Sequence, residues 1–182
     1  MTKTTPISDV LWERHNITVT AGDYFDTGIK LLENDISWTV AFDMLIANFT
    51  TATAPNLAYC GGTAQFRVFR GGAGGQYKML FKYKNNEFRP SANNLNKTNT
   101  RYRFVVTHTS GANGIEAYCR RGTDSMESGT VTASFSQYTG NLFFGTSGAP
   151  TDTLPNGTIN HAVVYNRVLS TEEINAFMGV TS

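Results

Sequence analysis

Short runs of alternating apolar and polar residues, broken at close intervals by Gly, Asn, Thr and Ser, fill this chain from end to end. Alternation with period two places successive side chains on opposite faces of a strand. Runs rich in β-branched and aromatic residues between turn residues read as strands. The pattern predicts strands over 16–20, 24–25, 37–47, 57–60, 65–70, 77–83, 87–90, 102–109, 115–120, 130–135, 141–145 and 160–166. Gly71-Gly72-Ala73-Gly74-Gly75 and Ala112-Asn113-Gly114 read as hairpin loops, and Asn156-Gly157 as a turn. Many short strands with turns between them specify an all-β sandwich. The phase of each run assigns its faces. Trp38, Val40, Phe42 and Met44 fall together, as do Tyr77, Met79, Phe81 and Tyr83, Phe104 and Val106, and Ile115, Ala117 and Cys119. These form the expected core, where each large apolar side chain contributes about 1.5–3 kcal/mol on full burial.

The period changes once, at the end. Ser170 is a strong N-cap, and Glu173 is spaced to reach back to its backbone N–H in a capping box. Leu169 and Ile174 are placed for a hydrophobic staple. Ile174, Phe177 and Met178 share one helical face, and Gly179 supplies the stop. One short helix is therefore predicted over Thr171–Met178.

That ending, a strand followed by Asn166-Arg167-Val168-Leu169-Ser170-Thr171-Glu172-Glu173-Ile174, closely resembles the last strand and closing helix of LamG-like jelly-roll domains, in the concanavalin A-like lectin/glucanase superfamily. Tyr24-Phe25-Asp26-Thr27-Gly28-Ile29, followed by Ser37-Trp38-Thr39-Val40-Ala41-Phe42, is similar to that family's opening strands. Arg101–Thr107, Ile115–Cys119 through Gly122, and Leu142-Phe143-Phe144-Gly145 resemble later strands in the family's order. The resemblance covers most of the chain from Tyr24. It implies a concanavalin A-like jelly-roll sandwich of two antiparallel sheets with one short C-terminal helix. On this reading 1–182 is a single domain, with 1–20 an N-terminal extension or added strand.

Composition narrows the function classes. A formal net charge of +1 gives no electrostatic case for nucleic acid or an anionic membrane. No apolar run is long enough to span a bilayer, and the polar stretch from Met1 to Asp9 carries no secretory h-region. Cys60 and Cys119 are the only cysteines. A disulfide between them stays open, but two reduced, buried residues is the favoured reading.

Candidate chemistry lies on the outward faces. Asp43, Arg103, Glu116, Tyr118 and Arg67, set side by side on the concave sheet, would make a polar-aromatic groove. An aromatic ring stacks on the apolar face of a pyranose, and Arg, Asp and Glu orient its hydroxyls. The competing reading is a solvated face whose cross-strand ion pairs contribute little. The E-x-D-x-x-E strand of the jelly-roll glucanases is absent; Glu33-Asn34-Asp35-Ile36-Ser37-Trp38 has tryptophan in the third place, so no hydrolase is expected. His15, His108 and His161 are scattered and read as surface or packing residues. In the last strand the family often carries an acidic pair that helps bind calcium. Asn160 and His161 stand there instead, so no cofactor is expected and a calcium site is not supported. Asp23 and Asp26 read as turn residues.

The resulting expectation is a non-catalytic carbohydrate-binding or adhesion module with a cell-surface or polymeric glycan as partner. The Thr-, Asn- and Gly-rich composition, the reduced-looking cysteines and the missing leader favour a phage virion component, such as a tail or head fibre; the expected location is extracellular or on a virion surface, with another larger assembly and homo-oligomerisation open. The alternatives are a structural or oligomerisation sandwich without a sugar site, and a glycan-cleaving enzyme of the same fold.

Overall fold

A computed structural model describes residues 9–20, 22–48, 56–60, 66–71, 78–90, 98–145 and 154–180. In chain order the elements are β1 (Val10–Val19), β2 (Phe25–Asp26), β3 (Trp38–Asn48), β4 (Asn56–Cys60), β5 (Phe66–Gly71), β6 (Lys78–Tyr83), β7 (Asn86–Phe88), β8 (Thr100–His108), β9 (Ile115–Arg121), β10 (Glu127–Val131), β11 (Leu142–Phe144), β12 (Asn156–Tyr165) and α1 (Thr171–Met178). They form two six-stranded sheets, ordered β1-β12-β3-β8-β9-β10 and β2-β11-β4-β5-β6-β7. Every neighbouring pair runs antiparallel. The expected all-β sandwich with one short C-terminal helix is therefore the fold.

The inward faces match the alternation. Trp38, Val40, Phe42, Met44, Met79, Phe81, Tyr83, Phe104, Val106, Ile115, Ala117 and Cys119 are buried in one cluster between the sheets. Stacked rings knit its centre, with Phe42 at 5.3 Å from Phe104 and 5.2 Å from Phe144. Cys60 and Cys119 are both buried thiols outside any disulfide, and burial pushes the Cys60 thiol up to about 12.

A second cluster lies on the other side of the first sheet. Ala41, Val105 and Val163 point outward there, covered by Ile174 and Met178 of α1 and by Leu169 just ahead of it. The capping box is made in full: the Ser170 hydroxyl accepts from Glu173 N at 3.3 Å, and Ser170 N donates to Glu173 Oε2 at 2.8 Å. Gly179 ends the helix in the left-handed region, at φ 68°. The entry to the helix is pinned to β3, since the Thr39 hydroxyl donates to Arg167 O and accepts from Leu169 N.

Most strand boundaries move by a residue or two, and three strands depart further from the sequence reading. β1 begins at Val10 rather than Asn16 and pairs along β12 as an edge strand; its polar outward residues hide the alternation. β10 is Glu127–Val131, ahead of the expected 130–135. Asn156-Gly157 opens β12 instead of turning. At Gly157 a Cβ would stand 2.1 Å from Leu45 O, so glycine is there for close strand approach. Of the glycine loop after β5, only Gly71 lies within the described residues. Tyr77, placed in the core by its alternation, lies outside them.

Candidate functional site

The first sheet brings four of the five sequence candidates onto its outer face, but α1 lies on the same face and changes their roles. Asp43 on β3 is almost wholly buried, at 4% exposure. Its carboxylate accepts from Arg101 Nε at 2.7 and 3.0 Å, Arg103 Nε at 3.1 Å and Asn160 Nδ2 at 3.1 Å. It also accepts from Arg101 Nη2. The Asp43 hydrogen bonds raise the Arg101 guanidinium further above its ordinary value. Arg103 continues to the helix, donating Nη1 to Met178 O at 2.9 Å. Arg120 joins it there at 3.0 Å. α1 has no basic residue in its own last turn; Arg103 and Arg120, reaching from β8 and β9, satisfy its terminal carbonyls and complement the helix dipole. Asp43 and Arg103 thus fasten the helix to the sheet, a role the sequence reading did not assign them. The outward-facing Ala41 and Val105 were the signal that something covers this face.

Glu116 and Tyr118 stand at the far edge of the same face. Tyr118 packs partly against the helix cluster. Its hydroxyl donates to Glu116 Oε2 at 2.9 Å. Burial first, and the Glu116 carboxylate second, push the phenol up to about 12. With Ser128, Gly129 and Thr130 of β10 the two residues line an open cleft of ≈ 180 Å³. The hydroxyls and the carboxylate make it a polar hollow.

Arg67 does not belong to this face. It lies on β5, in the second sheet, where Tyr59↔Arg67↔Lys82 are direct cross-strand partners. The row extends in both directions, from Asp26 through Phe143 to Tyr59 on one side and from Lys82 to Glu87 on the other. Val68 and Phe81, the chain neighbours of Arg67 and Lys82, are core residues, so the row faces away from the core. The Arg67 guanidinium donates Nε to the side-chain oxygen of Asn56, itself buried. Tyr59, Arg67, Lys82 and Phe143 are half-buried; Asp26 and Glu87 are exposed. Exposed Tyr24 lies against Phe143, with ring centroids 6.4 Å apart. One line of side chains thus combines aromatic faces with two adjacent cations. Sequence alternation alone could have found the members but not their register.

One cluster was missed altogether. His15 on β1 and His161 on β12 are direct cross-strand partners, with rings stacked at 4.3 Å. Glu13, two residues before His15, approaches both: its Oε1 lies 2.8 Å from His161 Nε2 and 3.0 Å from His15 Nε2. Desolvation raises the Glu13 pKa, but the two imidazoles outweigh it and hold the carboxyl below its ordinary value. Asp23 acts as a turn residue, whereas Asp26, expected in a turn, closes strand β2 and bonds on to the segment that follows. Asp23 accepts from Thr20 N at 2.8 Å, and Asp26 from Gly28 N at 2.8 Å.

Neither a family model nor a curated protein matches the chain. Solved structures do match in fold. The CBM40 of the Ruminococcus gnavus IT-sialidase, bound to α2,3 sialyllactose, superposes with TM-score 0.62 at 14% identity, covering 93% of this chain and 98% of that one. The leech intramolecular trans-sialidase superposes at 0.61 and 14% identity, covering 95% of this chain and 28% of its own. A GH54 α-L-arabinofuranosidase superposes at 0.62 and 11% identity, with 94% and 43% covered. The chain therefore spans almost the whole of a separate CBM40 structure but only part of these two enzymes. At such identities the likeness is one of architecture: this chain has the β-sandwich fold of the CBM40 structures.

Proposed function

We propose that the protein is a non-catalytic carbohydrate-binding module, and that an acidic glycan lies across the outer face of the second sheet, over Tyr59, Arg67 and Lys82. The observation that carries the reading is the in-register row of aromatic and cationic side chains. A ring beside two cations suits a sugar bearing a carboxylate: the ring stacks on the pyranose, and the planar guanidinium receives the carboxylate in a fork. Like charges directly across a strand pair are unfavourable alone; an anion between Arg67 and Lys82 would offset that. The fold neighbours with sialyllactose bound add weight to the class of ligand.

The same row argues against glycoside cleavage on this face. Hydrolysis needs two carboxylates about 5–9.5 Å apart. Asp26 and Glu87 occupy the two edge strands of the sheet. At about 4.8 Å per strand they stand roughly 24 Å apart. A shallow face of this kind gives Kd values on the order of micromolar to millimolar, so firm attachment needs several copies. Display in a larger surface assembly, such as a virion fibre, would supply them.

Titration of the pure protein with sialyllactose and with neutral lactose tests the reading. We expect binding of the first that is lost on Arg67→Ala with the fold intact. A second reading rests on the cleft beside Tyr118, which offers two hydroxyls and a carboxylate to a neutral sugar. Binding that survives Arg67→Ala but fails in Glu116→Gln moves the site there. No binding to an array of acidic and neutral glycans overturns both.

A further inference from the structure

We propose that Glu13, His15 and His161 form a binding site for a divalent transition-metal ion of the zinc class, which clamps edge strand β1 onto β12. The three offer one carboxylate oxygen and two imidazole nitrogens, and these atoms all lie within 4.8 Å of one another. Two nitrogens and one oxygen are zinc, nickel or copper ligands; calcium and magnesium require oxygen sets.

The geometry is close to what such an ion demands. Zinc bonds of 2.0–2.1 Å in a tetrahedron place ligand atoms about 3.3 Å apart. Here Glu13 Oε1 lies 2.8 and 3.0 Å from the two Nε2 atoms, a few tenths of an ångström short of that value, and all three ligand atoms fall within 4.8 Å of one another. Both Nε2 atoms converge on a single carboxylate oxygen, and one metal would take over both interactions. Three ligands leave a fourth position for water or an exogenous donor.

The backbone positions these groups. His15 and His161 are direct partners, and Glu13 lies two residues along on the same face. The pairing of β12 with β3 shifts by one residue at Asn160, and Asn16, opposite it on β1, takes a positive φ of 51°. This bulge keeps Ile159 and Ile17 packed with the core while His15 and His161 face outward. His161 is further held by the Phe177 ring of α1 at 5.4 Å. The side chains of Glu13, His15 and His161 are 38%, 52% and 26% exposed, so the site can be loaded from solvent.

The test uses untagged, chelator-treated full-length protein titrated calorimetrically with zinc, with calcium as control, alongside melting temperatures. One zinc per chain and a raised melting temperature are expected, with no response to calcium. Affinity should fall in acid, since protons compete with the ion for its ligands. His15→Ala, a half-exposed position, should keep the metal-free melting temperature and lose about 10–100-fold or more in zinc affinity. Glu13→Gln should behave likewise and serves if His15→Ala does not fold. The proposal is overturned if the parent shows no zinc response, or if either folded variant binds zinc as the parent does.

Discussion

Across the outer face of the first sheet, His15, His161, Asp43, Arg103 and Arg120 stand in one line, strand to strand. Across the outer face of the second, Asp26, Phe143, Tyr59, Arg67, Lys82 and Glu87 do the same. As residue types the lines are alike, and either could pass for a sugar-binding groove. What separates them is the disposition of their charge. In the first line Asp43 accepts from two arginines and an asparagine, and Arg103 and Arg120 go on to the carbonyls at the end of α1. A helix rests on that face and its charges hold the helix down. In the second line two cations sit side by side next to an aromatic ring, and this is the face given to the ligand. The destination of the hydrogen bonds, rather than residue identity, separates the two: they run to the end of α1 on the first face, while on the second Arg67 donates to Asn56 within its own sheet.

The comparison breaks first at Asp43. Asp43→Ala leaves Arg103, 13% exposed at its side chain, without its carboxylate. Stranding a buried charge in this way typically costs about 3–5 kcal/mol. Urea unfolding should show a loss of that order, with glycan binding by the folded fraction unchanged. Unchanged stability would mean that the network does not hold the helix, and the two faces would lose their contrast.

A smaller effect sharpens the contrast by exchanging tyrosines. Tyr59→Ala on the second sheet should weaken glycan binding by about tenfold or more, equivalent to about 1.4 kcal/mol, while the urea midpoint moves little. Tyr118→Ala on the first should do the reverse, because the side chain packs against the cluster that α1 shares with the sheet. If Tyr118→Ala instead abolishes binding at unchanged stability, recognition belongs to the cleft it shares with Ser128 and Thr130.

The core was legible in the sequence because alternation in the Trp38, Phe104 and Ile115 strands carries the face of each residue directly. The helix was legible to the residue, since Ser170, Glu173 and Gly179 are local signals. The site was legible only in part. Period two shows that Asp43, Arg103 and Glu116 point outward, but not that Arg103 reaches the end of α1 or that Arg67 is in the other sheet. Both depend on pairings between strands distant in the chain. His15 and His161, separated by most of the sequence, meet only because β1 adds to the edge of β12. Nothing local to either residue marks that encounter.

The smallest expected effect is on pH dependence, and it concerns the attachment of the helix. Arg167 holds Glu173 in a fork, at 2.7 and 2.6 Å, and reaches Asp9 ahead of β1 at 2.9 Å. That fork first, and the Ser170 N–H second, lower the Glu173 carboxyl from 4.5 to about 2. A carboxyl whose folded value lies below its unfolded one adds stability above the unfolded value, and that stability is lost as the pH falls through the folded one. The window here runs from about pH 4.5 down to about pH 2. Because the Glu173 side chain is 42% exposed, solvent screening limits the pair to the range of surface ion pairs, about 0.2–1 kcal/mol. Glu173→Gln preserves a capping residue and removes the charge. Its melting temperature should lie slightly below the parent's at pH 7, converge with it as the pH falls through that window, and approach it in high salt. A gap between parent and variant that stays constant from pH 7 to about pH 2 would show that the Arg167 fork is not what fastens this corner of the helix, leaving Asp43, Arg103 and Arg120 as its anchorage at the other end.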